Sequence, residues 1–204
     1  MSLRHALLAV LTAEPMTGYE LLKYFDGTVA AFWSAPHSQV YPELRRMEAA
    51  GLISAEVAAR GERAQKRIYS VTDSGITELS DWIGQESAVP PERDVARLRA
   101  AHFEFSSYDV ARRQLTAHLT EHQDRLARLE SMVQAIQDLR VPLLRRRFEQ
   151  RPEAEHEAIA AFKELAFRGQ IARVKAEIAW AKQGLELVAD LESRSVPLRG
   201  PSVD

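Results

Sequence analysis

Two groups of side chains in this chain have types and spacings that could do chemistry. The first is His118-Leu119-Thr120-Glu121-His122. Imidazoles one helical turn apart can share a zinc ion, and H-x-x-E-H is the order found in inverted zinc peptidases, where the carboxylate acts as a base. The string stands without a surrounding catalytic domain, and so short a pattern recurs by chance. The expectation is therefore a seam histidine, His122, beside a solvated one, with no catalytic residue, no metal and no cofactor. Metal binding by His118 and His122 stands as the alternative. The chain has no cysteine, which removes disulfides, thiol nucleophiles and thiolate metal sites together.

The second group lies in residues 37–52, His-Ser-Gln-Val-Tyr-Pro-Glu-Leu-Arg-Arg-Met-Glu-Ala-Ala-Gly-Leu. Val40, Leu44 and Met47 recur at the helical period and predict one buried stripe. Ser38, Gln39, Tyr41, Arg45 and Arg46 fall off that stripe, and their types suit contacts to base edges and phosphates. A second cluster of cations, Arg60, Arg63, Lys66 and Arg67, is opposed only by Glu62 and falls in a predicted hairpin turn. The net charge of -2 excludes a protein that coats nucleic acid through bulk positive charge, so any such contact must be local.

These side chains need elements to hold them. Leu3, Leu7, Leu8 and Leu11 predict a first helix over 3–11, ended by Glu14-Pro15. Thr17 followed by Glu20 has the form of a capping box, which starts a second helix near Gly18 with Leu21, Leu22 and Phe25 inward. The third helix is expected over 38–50, with Pro42 in or near its first turn and Gly51 closing its end. Two β-prone runs follow, 52–57 and 67–72, with the basic stretch between them. Asp73 and Ser74 then start a fourth helix, carried by Ile76, Leu79, Trp82 and Ile83 to about Glu86. Helices, a hairpin and a helix in this order make a winged helix-turn-helix.

Pro90-Pro91 marks residues 87–91 as a linker. Beyond it the spacing predicts a helix over 94–105 and a long one from Tyr108 or Asp109, with Leu115, Leu119, His122, Leu126, Leu129, Val133 and Ile136 along one seam. Pro142 kinks or ends that helix. Pro152 opens the last, in which Ile171, Val174, Ile178, Ala181, Leu185 and Val188 repeat the seam. The fold class expected is mainly α with a small β-hairpin: a winged helix-turn-helix over 1–86, a linker over 87–91, an all-α domain of long helices over 92–193 whose seams can pair within one chain or between chains, and a flexible tail over 194–204. At 204 residues and 46% apolar content, the chain is large enough for two real cores. It carries no run of eighteen apolar residues and no export signal. No membrane partner and a cytoplasmic location are expected.

Several ordered blocks then make the chain resemble the PadR family of bacterial transcriptional regulators. They are Ala6-Leu7-Leu8, Pro15-Met16-Thr17-Gly18-Tyr19-Glu20-Leu21, Val40-Tyr41-Pro42-Glu43-Leu44-Arg45-Arg46-Met47-Glu48 with Gly51-Leu52, and Arg67-Ile68-Tyr69-Ser70-Val71-Thr72 with Gly75. The helical second half is similar in layout to the family's longer subfamily. One departure is Thr17, where many members carry histidine.

The resemblance implies a homodimer on double-stranded, palindromic operator DNA, in the habit of a repressor, with a recognition helix in each major groove and wings on the flanks. Ser38, Gln39, Tyr41 and Pro42 would lie at the start of that helix, with Gln39 and Tyr41 toward base edges or the adjacent sugar-phosphate. Thr17, Tyr19, Arg45 and Arg46 would position phosphates, and Arg63, Lys66 and Arg67 would anchor the wing. It also implies a small aromatic or hydrophobic effector, for which Trp33, Trp82, Phe103, Tyr108 and Trp180 are the candidate contacts. The alternative from another class is a dimeric protein-interaction module that has kept the fold without binding DNA.

Overall fold

The structure is a computed structural model, which describes residues 3–28, 32, 37–60, 64–86 and 93–199. Its elements in chain order are α1 (Leu3–Leu11), β1 (Met16–Thr17), α2 (Gly18–Thr28), α3 (His37–Ala49), β2 (Ile53–Arg60), β3 (Ala64–Val71), α4 (Asp73–Gly84), α5 (Val95–Ala100), a 3-10 turn (Phe103–Phe105), α6 (Tyr108–Gln137), α7 (Pro142–Glu149) and α8 (Glu153–Ser193). The mainly helical class with a small antiparallel sheet is as expected. The chain divides into two units, Met1–Ser87 with Gln134–Leu165, and Ala88–Val133 with Ala166–Asp204. This division groups α7 and the adjoining ends of α6 and α8 with the winged helix. A reading of the chain as successive segments contains no such grouping. The expected linker at 87–91 lies outside the described residues.

In the first unit, Leu7, Leu8, Val10 and Leu11 of α1, Leu21 and Phe25 of α2, and Val40, Leu44 and Met47 of α3 form one buried core with Met16, Ile53, Tyr69 and Leu79. α3 ends in a Schellman motif. Leu52 N–H donates to Met47 O at 3.0 Å and Gly51 N–H to Glu48 O at 3.0 Å, with Gly51 at φ 71°. The chain thus leaves the helix directly into β2. The sheet has three strands, in the order β1-β3-β2. Sequence reasoning missed β1, in which Met16 pairs with Tyr69 and Thr17 with Ile68. Two residues carry no period-2 signal of their own. The hairpin strands are longer than predicted, pairing from Ile53–Val71 out to Arg60–Ala64, and the tip at 61–63 lies outside the described residues.

The wing returns to α4 through a tight crossing. Thr72 caps α4 by accepting from Gly75 N–H at 3.1 Å, while its own N–H donates to Leu52 O at 3.1 Å. A Cβ on Gly75 would stand 2.1 Å from that same Leu52 oxygen, so only glycine fits.

In the second unit the expected helix over 94–105 is broken. α5 ends at Ala100 and buries no residue, and a separate 3-10 turn follows after His102 leaves helical dihedrals. Ala111 and Leu115 of α6 pack with Val188 of α8, and Phe103, Tyr108, Trp180 and Leu185 border them. Of the predicted seams, Leu115, Leu129, Val133 and Ile136 of α6 and Val174, Ala181 and Val188 of α8 are buried, whereas Leu119, His122 and Leu126 in the middle of the α6 seam are only half-buried. α6 ends at Gln137 and is closed by Leu139, a non-glycine residue at φ 52°, with Arg140 N–H reaching back to Ala135 O at 2.8 Å. Pro142 does not kink α6 but starts α7. Residues 194–199 of the expected flexible tail are tied back within their unit. Tyr108 Oη donates to Val196 O at 2.7 Å and Arg199 N–H to Glu104 O at 2.8 Å.

Replacing Gly75 with alanine should destabilise the chain by about 1–3 kcal/mol, because the clash is with backbone that cannot rotate away. Gly84→Ala, at a position open on all sides, should change little. Denaturant midpoints of the two variants check this, and equal midpoints would contradict the crossing described.

Candidate nucleic-acid interface

α3 displays what its buried stripe leaves outside. Val40, Leu44 and Met47 are fully buried, and Ser38, Gln39, Tyr41, Pro42, Arg45 and Arg46 are all exposed. The helix starts at His37, so Pro42 is its sixth residue, just past the first turn. Proline has no N–H to give to the carbonyl four residues back, and the Ser38 carbonyl is left without a helical donor on the exposed face. Pro42 is tolerated there because it too is exposed, leaving the ring and any bend on the solvent side.

One acid under the helix controls the arginines. Glu43 is buried, and its carboxylate takes Arg46 at 2.9 Å on one oxygen and Arg4 of α1 at 3.4 Å on the other. Arg46 thereby keeps an exposed guanidinium on a fixed tether, and no described ion pair holds Arg45. Tyr41 has two roles: it is 43% exposed, yet its ring lies so close to Gly18 that a Cβ there would meet Cε1 at 2.6 Å. Packing on α2 and availability at the surface are therefore both true of this tyrosine.

Tyr19, at the start of α2, is 73% exposed. Thr17 is placed otherwise than expected. It is 7% exposed, and its hydroxyl donates to Glu20 Oε2 at 2.7 Å while its N–H donates to the same oxygen at 2.8 Å. Glu20 N–H returns a bond to the hydroxyl at 3.3 Å, completing the capping box. A hydroxyl used in this way is not offered to a phosphate. The two Thr17 hydrogen bonds, side chain before backbone, hold the Glu20 carboxyl below its usual range, against burial and with help from Lys66.

On the wing, Lys66 lies 3.6 Å from Glu20, and Arg67 lies 2.5 Å from Glu48 and over the Tyr69 ring at 5.7 Å. Both cations are engaged by acids of the helices they flank, so they brace the wing as well as present charge. Arg63 lies outside the described residues. α3, the start of α2 and the base of the wing therefore bring Tyr19, Gln39, Tyr41, Arg45, Arg46, Lys66 and Arg67 into one unit. The contribution of Arg4 and Glu43 was not foreseen. A glutamate on the inward side of the helix was the available signal.

The described candidate effector residues fall in different units, Trp82 in the first and Phe103, Tyr108 and Trp180 in the second. Trp33 lies outside the described residues, and Trp82 stacks on His5 at 4.7 Å beside the first unit's core. In the second unit, a cavity of about 300 Å³ is lined by Phe103, Leu115 and Trp180, with Arg99, Gln114 and His118 supplying polar groups. Tyr108 is outside this lining and packs on the adjoining core.

Residues 7–81 match the transcriptional regulator PadR-like family and residues 92–189 the virulence activator alpha C-terminal family. The chain is similar to a probable transcriptional regulator of Mycobacterium tuberculosis, 31% identical over 93% of this chain and 99% of that one. It is also similar in structure to Bacillus subtilis PadR in complex with operator DNA, with TM-score 0.70, 26% identity, and 91% of this chain and 98% of that chain covered. The same protein in complex with p-coumaric acid matches with TM-score 0.64 and 26% identity over 92% and 98% of the two chains.

Because the Glu20 carboxyl is held below its unfolded value, near 4.3, its contribution to stability is present above that pH and is lost as pH falls through the lowered folded value. Glu20→Gln should therefore flatten the acid limb of the stability profile relative to the parent while leaving its shape at neutral pH. An acid limb of unchanged slope would show that the box does not carry this linkage.

Proposed function

This chain belongs to the PadR-like family of transcriptional regulators, and from that premise we propose that it binds a palindromic operator as a homodimer, acts as a repressor in the cytoplasm, and is released by a small aromatic ligand. The family and the relatives are regulators of transcription, not enzymes.

The observation that carries the reading is the division of α3 into a fully buried stripe and an outer face of Ser38, Gln39, Tyr41, Arg45 and Arg46. Such a helix can enter a major groove without giving up its own core packing. Gln39 and Tyr41 are suited to base edges at its start, and Arg45 and Arg46 to phosphates on either side. Tyr19, Lys66 and Arg67 flank them with further donors. Bacillus subtilis PadR has been solved on operator DNA, which supports the same use of the corresponding half of this chain. A net charge of -2 is compatible with this because the cations sit on the contacting elements.

A second copy of the chain is the partner that a palindrome requires. Phe162 and Leu165, one turn apart on α8, are 71% and 64% exposed in a single chain, which supports burial of this helix in a dimer. For the effector, the cavity of about 300 Å³ beside Phe103 and Trp180 is near the lower end of ligand-site volumes. It suits one aromatic ring, with Arg99 as the group for an acidic substituent. The complex of Bacillus subtilis PadR with p-coumaric acid supports an aromatic acid as the class to try first.

A mobility-shift assay on the DNA upstream of the protein's own coding region, run at several salt concentrations, tests the DNA reading. The parent should give a sequence-specific shift. Arg45→Ala with Arg46→Ala should weaken it and reduce the salt slope by about one unit for each phosphate that the variant no longer neutralises. Unchanged affinity and slope in the double variant would overturn the assignment of α3.

Thermal shift with hydroxycinnamic acids, followed by release from the same DNA, tests the effector. A compound that raises the melting temperature and releases the DNA should lose both effects in Arg99→Ala. Equal effects in that variant would move the ligand site out of this cavity.

A further inference from the structure

We propose that His118, His122 and Glu177 form a three-ligand site for a divalent transition metal, zinc(II) first, that joins α6 to α8 within the second unit. The two histidines were visible in sequence as a pair one turn apart; the third ligand comes from α8, fifty-five positions beyond His122 in the numbering. All three side chains are half-buried, and their ligand atoms lie within 4.8 Å of one another. His118 Nε2 is already 3.1 Å from Glu177 Oε2, close to the ~3.3 Å edge of a tetrahedron built on zinc bonds of about 2.0–2.1 Å. Only the His122 ring has to close.

The groups around the cluster prepare it. His122 Nδ1 lies 2.8 Å from the His118 carbonyl oxygen, which can only accept, so the proton sits on Nδ1 and Nε2 presents its lone pair. The two imidazole rings stack at 4.1 Å, and Trp180 meets His118 edge-on at 5.1 Å, which limits how His118 can turn. Glu177 uses its other oxygen, Oε1, to accept from Arg97 at 3.1 Å; Arg97 is in turn paired with Asp94 at 2.5 Å and lies over the Trp180 ring. Oε2 is thus the oxygen left for the metal, in a monodentate and oriented pose. The Arg97 charge opposes a cation, and Asp94 offsets it.

Two imidazoles and one carboxylate select the borderline ions, zinc, cobalt, nickel and copper(II), over magnesium or calcium, which require oxygen donors. Three protein ligands leave a tetrahedral ion one open position. His118 and Trp180 also line the cavity of the second unit, so a water or an anionic ligand on the ion has space beside it. Binding requires the His118 Nε2 proton to leave, replaced by the metal between that nitrogen and the carboxylate.

Tag-free protein, stripped by chelator and titrated with zinc chloride in a calorimeter, tests the site. One zinc per chain is expected, with a change in tryptophan fluorescence from Trp180 and, with cobalt(II) in its place, the visible d–d bands of a four- or five-coordinate ion. His122→Ala and the near-isosteric Glu177→Gln, each verified as folded by circular dichroism, should each weaken zinc at least tenfold, whereas His102→Ala should not. Absence of saturable one-to-one binding to the parent, or equal affinity in His122→Ala and Glu177→Gln, would overturn the proposal. DNA binding is not part of the readout, so this test and the operator test fail independently.

Discussion

The first unit depends on the burial of one stripe, Val40, Leu44 and Met47, against α1 and α2. Each of these side chains is removed completely from water, which is worth about 1.5–3 kcal/mol apiece. Its directional effect matters more than its size. A helix with three anchors on one face cannot rotate about its axis, so the outward set, from Ser38 to Arg46, is fixed by what lies inward. The Schellman turn at Gly51 passes this orientation to β2, and the Gly75 crossing passes it to α4. The outward side chains of α3 and the wing are therefore positioned together as a consequence of a hydrophobic pattern.

Electrostatics refines that arrangement at few points. Buried Glu43 has guanidinium groups within reach of both oxygens, as an acid removed from water requires. In doing so it ties α1 to α3 and restricts Arg46 without neutralising the outward face. The exposed pairs Lys66–Glu20 and Arg67–Glu48 contribute little energy each, by the ordinary weakness of surface ion pairs. Their use is geometric. They hold two wing cations against the helices that the wing flanks.

What could be read from sequence follows from how local its cause is. The capping box, the buried stripe, the Gly51 terminus and α1 depend on residues within a few positions, and their structures match the pattern. β1 was invisible because two residues form a strand only when β3 is beside them. The chain turns at Leu139 just after α6 and at Ser195 just after α8, both non-glycine residues at φ 52°. A reader who expects glycine at left-handed positions takes Pro142 as the stop and overlooks α7. Thr17 shows the opposite error: the cap was legible, but its cost was not drawn, since a hydroxyl bonded to Glu20 is no longer free for DNA. Glu177 could not be seen at all from the histidine pair, because only the packing of α8 on α6 brings it there.

The second unit has to be judged by different rules. A short zinc-like string has little weight when nothing surrounds it, and the family and its relatives remove the peptidase reading. The physical property of the string survives without that function, because imidazoles at i and i+4 remain ligands whatever the fold is for. What decides between a solvated pair and a site is a third donor held at the correct oxygen by an independent anchor, and Arg97 on Glu177 supplies that anchor. The same arginine lies over Trp180, a wall of the cavity. An ion at the cluster and an aromatic guest in the cavity would therefore act on one shared set of side chains. Occupancy of either would change the energy of the other's surroundings without any contact with DNA. Coupling of that kind is reciprocal by thermodynamic necessity, so the affinity each ligand gains from its neighbour must equal the affinity it gives.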